Sequence, residues 1–254
     1  MVEITIIIGV YNGERFLPEL LDSIVAQSFA LWQCIVVDDG SSDGSPRILA
    51  DAARHDGRFR VIRQENAGVG AARNAALALV DTPYVMFADQ DDRFEKNAVG
   101  RALAAIKASG SDILHFRSNR NLKSSIFVWE HIFRTAAIGD TRFEPITGGE
   151  DTAFFWELSF KKLRRAAIDD VLYFNRPNCG SFSRDVSPRY IDNTFAAYRA
   201  MRKTARRNSI GSVKLWWRLA GHIAPFAASV MLRHPSKDNC VALCRNLWRM
   251  LLWE

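Results

Sequence analysis

Through the first hundred residues, short apolar runs rich in β-branched side chains alternate with longer stretches whose apolar positions recur with helical period. The runs predict strands near Ile4–Gly9, Cys34–Val37, Phe59–Arg63 and Tyr84–Ala88. The periodic stretches predict helices near Pro18–Gln27, Ser45–His55, Gly70–Val80 and Lys96–Ser109. Strand and helix in alternation call for an α/β fold, a mostly parallel sheet flanked by helices. From about Ile113 to Ser183 the pattern is mixed, with a helix predicted at Ser125–Arg134 and another opening at Glu150-Asp151. Beyond Pro188 the chain reads as helical and basic, and no internal repeat is present. The expected division is a catalytic α/β domain over 1–188 and a helical tail over 189–254.

Each polar cluster of interest falls just after one of the predicted strands: Tyr11-Asn12-Gly13, Asp38-Asp39-Gly40-Ser41, Asn66-Ala67-Gly68 and Asp89-Gln90-Asp91-Asp92. In open α/β sheets that edge is where ligands bind. Asp89 and Asp91, separated by one residue, have a spacing suited to one divalent cation. Hard oxygen ligands favour Mg²⁺ or Mn²⁺, with open positions for the phosphates of a substrate. The blander reading is that Asp89 and Asp92 cap a helix starting near Phe94. Asp38 to Asp43 likewise reads either as a turn with a helix cap or as carboxylates, Asp39 by preference, that accept hydrogen bonds from a base or ribose.

Gly148-Gly149-Glu150-Asp151 precedes an apolar helical stretch, and acids are favoured there by the helix dipole alone. A carboxylate is also what an attacking hydroxyl needs as general base. Gly68-Val69-Gly70, with Asp89 about twenty positions on, imitates a dinucleotide fingerprint. It departs in detail: Arg73 stands where the third glycine belongs, and the motif follows the third strand rather than the first.

Composition narrows the classes. With 254 residues and 48% hydrophobic side chains the chain can bury a sizeable core. Cys34, Cys179, Cys240 and Cys244 lack metal-site or disulfide-framework spacing and read as reduced packing residues. The start of the chain, with Glu3 and no basic stretch before its short apolar run, lacks the layout of a secretory leader, so a cytoplasmic setting is expected. Of the 34 Lys and Arg and 28 Asp and Glu, residues 189–254 hold 12 and 3, leaving 22 and 25 for residues 1–188. The basic excess belongs to the tail. No RNP, helix-turn-helix or zinc-finger pattern accompanies it, which argues against a nucleic-acid partner.

Taken in order, Ile6-Ile7-Ile8-Gly9-Val10-Tyr11-Asn12, Val36-Val37-Asp38-Asp39-Gly40-Ser41-Ser42-Asp43, Asn66-Ala67-Gly68 with Ala72-Arg73-Asn74, Phe87-Ala88-Asp89-Gln90-Asp91-Asp92 and Gly149-Glu150-Asp151 resemble the family 2 glycosyltransferases. The resemblance covers roughly residues 3–184, closing with Leu172-Tyr173-Phe174 to Gly180-Ser181. It implies a GT-A fold, a Rossmann-like arrangement here followed by a helical C-terminal extension. It further implies a nucleoside-diphosphate sugar donor, usually uridine-linked, a divalent metal (Mn²⁺ or Mg²⁺), and displacement with inversion at the anomeric carbon.

Carried over by motif, Val10 and Tyr11 line the base pocket, Asp39 binds the uridine, and Arg73 and Gln90 lie near the donor. Asp89 and Asp91 form the metal and ribose site, and Asp151 is the catalytic base. Arg176 or Ser181 is assigned to the diphosphate, although Asn175 intervenes where the family places its arginine directly after the aromatic pair. Gly9 stands where the family often has proline, and only about sixty positions separate Asp91 from Asp151, so the acceptor side is pared down. The expected acceptor is a hydroxyl of a saccharide or lipid-linked molecule in surface polysaccharide or lipopolysaccharide synthesis. The alternatives are an NAD-dependent Rossmann oxidoreductase and a catalytically weak nucleotide-sugar-binding protein of the membrane surface.

The tail combines Arg199, Arg202, Lys203, Arg206 and Arg207 with Trp216, Trp217, Trp248 and Trp253. The stretch Leu215–Leu232 contains Arg218, His222 and Pro225, which speaks against a membrane-spanning helix. Two readings stand side by side: a helix lying on the anionic inner face of the cell membrane, and a helix packed on the catalytic domain or on a second copy of the chain.

Overall fold

In the computed structural model, which describes residues 1–120, 126–146, 148–176, 187–209, 227–228, 230 and 236–251, the apolar run Ile4–Val10 forms strand β1. It lies between β2 (Trp32–Asp38) and β4 (Tyr84–Asp89), and pairs with both in parallel. β3 (Phe59–Arg63) extends this parallel half beside β2. β1, β2 and β4 are buried along almost their whole length. Strands covered on both faces need continuous apolar runs rather than alternation, and that is the pattern their sequences show.

The other half is mixed and comprises β5 (Arg93–Phe94), β6 (Ile113–Ser118), β7 (His131–Arg134) and β8 (Arg165–Phe174). β7 runs antiparallel to β4 and β6, while β8 runs parallel to β6 and antiparallel to β5. The full order is β3-β2-β1-β4-β7-β6-β8-β5.

Helices α1 (Leu17–Val25), α2 (Ser45–His55), α3 (Val69–Leu77) and α4 (Ala98–Ser109) fall where the helical period predicts them. α1 illustrates the cause: Leu17, Leu20, Leu21 and Ile24 recur on one face and are all buried. Burial of each such side chain stabilises by roughly 1.5–3 kcal/mol. Asn97, not Asp89 or Asp92, occupies the N-cap position of α4, and Phe94 belongs to β5. The capping alternative for those acids therefore falls away.

The helix expected at Ser125–Arg134 is not formed. Among its described residues, Val128–Glu130 make a single 3₁₀ turn and His131–Arg134 make β7. Ile132 and Phe133 are fully buried, with β4 on one side and β6 on the other. Tertiary pairing of β-branched and aromatic residues has overridden a weak helical period. The short helix α5 (Thr135–Ile138) follows directly.

Compactness divides the chain into two units, Met1–Pro145 with Lys161–Pro177, and Ile146–Phe160 with Asn178–Glu254. These units interleave along the sequence rather than meeting at residue 188. The first contains the entire sheet. The second contains α6 (Glu150–Leu158), α7 (Pro188–Arg207) and the helix Lys237–Leu251.

In α7, Ile191, Phe195, Tyr198, Met201 and Ala205 recur at helical spacing and are buried with Ala153, Ala242 and Leu243. The apolar side of this basic helix is thus consumed by packing inside its own unit. Trp216, Trp217, Trp253 and the side chain of Trp248 lie outside the described residues, as do Cys179, Gly180 and Ser181. Cys34 is buried and Cys244 is exposed, so only the former is a core packing residue. Among the described residues no helix is long and apolar enough to cross a membrane.

Candidate functional site

The register of the sheet brings the polar clusters together. Val10 lies opposite Asp38 and Gly9 opposite Asp89, so β1, β2 and β4 end level at their carboxyl edge. Tyr11, Asp39 and Gln90 follow directly. Gln90 clamps Tyr11: the Tyr11 N–H donates to Gln90 Oε1 at 2.8 Å, and Gln90 Nε2 donates to the Tyr11 carbonyl at 3.0 Å. The Tyr11 ring remains 48% exposed, whereas Val10 is in the core at 1%. Of that pair, only the tyrosine offers a side chain to a ligand.

After β2 the acids and hydroxyls are spent on holding loops. Asp39 is 2% exposed. Its Oδ1 accepts from Gln64 Nε2 and the Ala67 N–H (2.7 and 2.9 Å), and its Oδ2 accepts from the Gly68 N–H at 2.8 Å. Asp38 accepts from the Ser41 N–H at 2.9 Å and pairs with Arg63 at 3.2 Å. Ser41 and Ser45 hydroxyls accept from the Asn12 and Gly13 N–H groups, and Asp43 accepts from that of Glu14.

Gly68 sits at φ 90°, ψ 160°, a conformation essentially restricted to glycine. Because Asp39 already takes its N–H, that group is not free to cradle a pyrophosphate. This removes the main support for the dinucleotide alternative.

After β4 the arrangement differs. Asp89 Oδ1 accepts from Arg73 Nη2 at 2.8 Å. Arg73 is 2% exposed and lies over the ring of Phe143, whose backbone is clamped by Asn74 through two hydrogen bonds of 2.8 Å. The Asp89 N–H donates to the hydroxyl of Tyr173 at 2.9 Å. Tyr173 is fully buried, stacked on Trp129 at 5.0 Å and edge-on to Phe94 at 5.1 Å. β8 thus supports the metal-candidate loop from below through a residue 84 positions away.

Asp92 is completely buried and accepts from Asn175 Nδ2 and, at 2.8 Å, from the Arg176 N–H. Burial, then the neighbouring Asp89 charge, push its carboxyl up to about 8, with the Arg176 N–H bond opposing and Asp91 adding to the rise. Burial also raises the Tyr173 hydroxyl well above its ordinary value, assisted by Asp92 and Asp89. Arg176 Nε donates to the Asp91 carbonyl at 3.0 Å, and its guanidinium pairs with Glu19.

Asp89 and Asp91 are both partly exposed on this loop. Among the described residues no group of three or more His, Cys, Asp or Glu stands together as a metal cage. Two partly exposed carboxylates on one loop nevertheless fit a Mg²⁺- or Mn²⁺-type ion whose remaining positions would go to substrate oxygens and water.

Asp151 belongs to the second unit. It lies in the first turn of α6 and is 8% exposed. Gly149 precedes it at φ +82°, where a Cβ would come within 2.7 Å of the Ala197 Cβ. The glycine is required both by the left-handed turn and by the close approach of α7.

Of the residues expected to form a site, Tyr11, Asp39, Arg73, Asp89, Gln90 and Asp91 gather at one sheet edge of the first unit. Sequence reasoning missed Tyr173, Trp129 and the buried state of Asp92. The signals available for them were the aromatic Leu172-Tyr173-Phe174 run and a third acid following the Asp89/Asp91 pair.

A central parallel strand flanked by two others, level exits carrying acids after β2 and β4, and a mixed half beyond β4 make up an α/β fold of GT-A type. Solved structures share that fold. Staphylococcus aureus TarS 1–349 in complex with UDP-GlcNAc matches with a TM-score of 0.78 and 22% identity, over 96% of this chain and 79% of that one. The mannosyltransferase PcManGT of Pyrobaculum calidifontis, in complex with GDP-Man and Mn²⁺, matches with a TM-score of 0.67 and 17% identity, over 97% and 87%. In sequence, glycosyltransferase GlyA of Streptococcus pneumoniae serotype 4 is 35% identical over 147 residues, 57% of this chain but only 20% of its own length. Residues 5–191 match the profile of Glycosyl transferase family 2, and the chain belongs to that family.

Proposed function

We propose that the protein transfers a sugar, with inversion, from a nucleoside-diphosphate donor to a hydroxyl of a saccharide or lipid-linked acceptor in surface-polysaccharide or lipopolysaccharide synthesis. The observation that carries this reading is the level carboxyl edge of β1, β2 and β4, which sets an exposed tyrosine beside the Asp89–Asp91 loop. The names of relatives support the donor class: TarS is described with UDP-GlcNAc and PcManGT with GDP-Man. A UDP-hexose or UDP-N-acetylhexosamine is the donor assigned here.

In this mechanism Tyr11 stacks on the base and Asp39 accepts a further hydrogen bond from it through Oδ2, which holds a single internal donor. Asp89, oriented by Arg73 and Tyr173, and Asp91 would hold a divalent cation, which when bound would supply positive charge against the departing diphosphate. Gln90 fixes the Tyr11 backbone so that base and phosphate ends of the donor are registered against each other. Asp151 takes the proton of the acceptor hydroxyl as its oxygen bonds to the anomeric carbon and the bond to the diphosphate breaks. The setting assigned to this chemistry is the cytoplasm, at the inner face of the cell membrane.

The test is Asp151→Asn, with transfer and UDP affinity measured on the same preparation. Loss of a general base lowers rate by ~10²–10⁴ while leaving donor binding intact. Undiminished transfer would remove Asp151 from the role.

A further inference from the structure

β7 runs antiparallel to both β4 and β6, and β8 runs parallel to β6, so the exits of β4, β6 and β8 reach the same edge of the sheet. Asn119 is the first residue after β6 and Asn175 the first after β8. The Asn119 N–H donates to the Tyr173 carbonyl at 3.1 Å, which carries the β6–β8 pairing past the end of β6. The Asn119 side chain carries it further: Oδ1 accepts from the Asn175 N–H at 2.8 Å, and Nδ2 donates to the Asn175 carbonyl at 3.0 Å. A primary amide offers the donor and acceptor of a peptide group, so one side chain prolongs the ladder where the backbone after β6 has entered a turn.

What this extension holds is the loop after β4. Asn175 Nδ2 donates to both oxygens of Asp92, at 3.2 and 3.1 Å, and the Arg176 N–H donates to Asp92 Oδ1 at 2.8 Å. Arg176 Nε donates to the Asp91 carbonyl at 3.0 Å, while its guanidinium pairs with Glu19 of α1 and lies over the Phe16 ring. The Asp92 N–H in turn donates to the Asp89 carbonyl at 3.2 Å and closes the loop as a turn. The backbone around Asp91 is therefore fixed from the end of β8, and that end is fixed by Asn119.

A staple for the end of β8 alone would not call for this arrangement. A carboxylate as fully buried as that of Asp92 is costly unless donors meet it, and apolar packing could close a strand end at lower cost. Here the buried carboxylate belongs to the residue beside Asp91, and its donors come from the two residues that Asn119 orders.

We infer that Asn119 and Asn175 are positioning residues of the donor site: through Asp92 and Arg176 they hold Asp91 where a divalent cation and the diphosphate it accompanies would meet it. The inference rests on the transferase reading and extends it to residues that act only through others.

The test compares the native chain with Asn119→Ala and Arg101→Gln. Asn119 is exposed, so its replacement leaves the core untouched. Arg101→Gln removes another exposed anchor of β8, the 2.6 Å pair with Asp170, which does not touch residues 89–92. Two quantities are read: hydrogen exchange in the 89–94 segment of the metal-free chain, and the gain in UDP affinity on adding Mn²⁺.

In Asn119→Ala, exchange in the segment should quicken about tenfold, as the loss of two hydrogen bonds implies. The Mn²⁺ gain should fall about tenfold, the lower end of what outer partners of a metal ligand contribute. Arg101→Gln should change neither. Asn175→Ala, which takes a donor from Asp92 directly, is the second variant, with the same two changes expected. Native exchange or an undiminished Mn²⁺ gain in Asn119→Ala overturns the inference, as do equal changes in Asn119→Ala and Arg101→Gln, which would make Asn119 a staple of β8 alone. If the native chain shows no Mn²⁺-dependent UDP binding, the donor reading fails and takes the inference with it; a gain of equal size in the native chain and in Asn119→Ala fails the inference and leaves the donor reading standing.

Discussion

The exits of β2 and β4 are nearly alike in sequence, each a run of acids closing an apolar strand, and they use their charge in opposite ways. After β2, Asp39 holds one side chain and two backbone N–H groups of the 64–68 loop, and Asp38 holds Ser41 and Arg63. After β4, three carboxylates share one short loop, and the proton affinity of Asp92 is elevated first by its burial and then by the neighbouring Asp89 and Asp91 charges. The first loop is a fastener and the second a store of negative potential. Acid count alone therefore says little about which strand exit handles a ligand; the donors waiting for each carboxylate decide it.

The comparison is open to attack from several directions. The largest effect on stability is expected at the fastener. Asp39→Ala takes the acceptor from three part-buried donors, two of them backbone N–H groups, and each lost bond costs about 0.5–1.5 kcal/mol. Urea unfolding of this variant should show a loss of several kcal/mol, while Asp91→Ala should stay within about 0.5 kcal/mol of the native chain because Asp91 is partly exposed. Equal losses at the two positions would erase the distinction.

The next effect is one of pH. Asp92 keeps its proton in the folded protein to about pH 8, whereas in the unfolded chain it releases it near the ordinary carboxylate range. Between those values the folded state binds more protons, so this group favours folding at low pH and its contribution is lost as pH rises through 8, by at most ~1.4 kcal/mol per pH unit. Unfolding free energies measured from pH 5 to 9 without divalent metal should fall along this window, and Asp92→Asn should flatten the slope. An unchanged slope in the variant would show that Asp92 does not carry the raised proton affinity.

A smaller effect is expected at Tyr173→Phe, which deletes the hydroxyl bound to the Asp89 N–H at 2.9 Å. A stability loss of about 1 kcal/mol accompanies removal of one such bond. If Tyr173 positions the loop, metal-dependent UDP affinity should weaken while metal-independent affinity holds. A variant that loses stability without that selective change would make Tyr173 a core residue only.

Much of this was readable from the chain. The parallel half of the sheet follows from unbroken β-branched runs, and α1 to α4 follow from helical spacing, since each reflects contacts local in sequence. The polar clusters at the strand exits were equally visible. Invisible was what each carboxylate meets, because Asp39 is answered from 25 to 29 positions away and Asp89 from 84. The misassigned helix over 125–134 has the same origin: Ile132 and Phe133 are decided by β4 and β6, not by their neighbours along the chain. The buried Arg73, read as a donor-side cation, likewise shows its pairing with Asp89 only in the fold.

The β4 loop, not the β2 loop, is the proposed seat of a cation that draws in a nucleotide-sugar donor. It is tested most directly by titrating UDP into the native chain and into Asp91→Ala, each with and without Mn²⁺. The account predicts that Mn²⁺ strengthens UDP binding by the native chain and that this gain disappears in Asp91→Ala, while the weaker metal-free binding is preserved. An Mn²⁺-dependent gain of the same size in both proteins would contradict it and place the cation elsewhere.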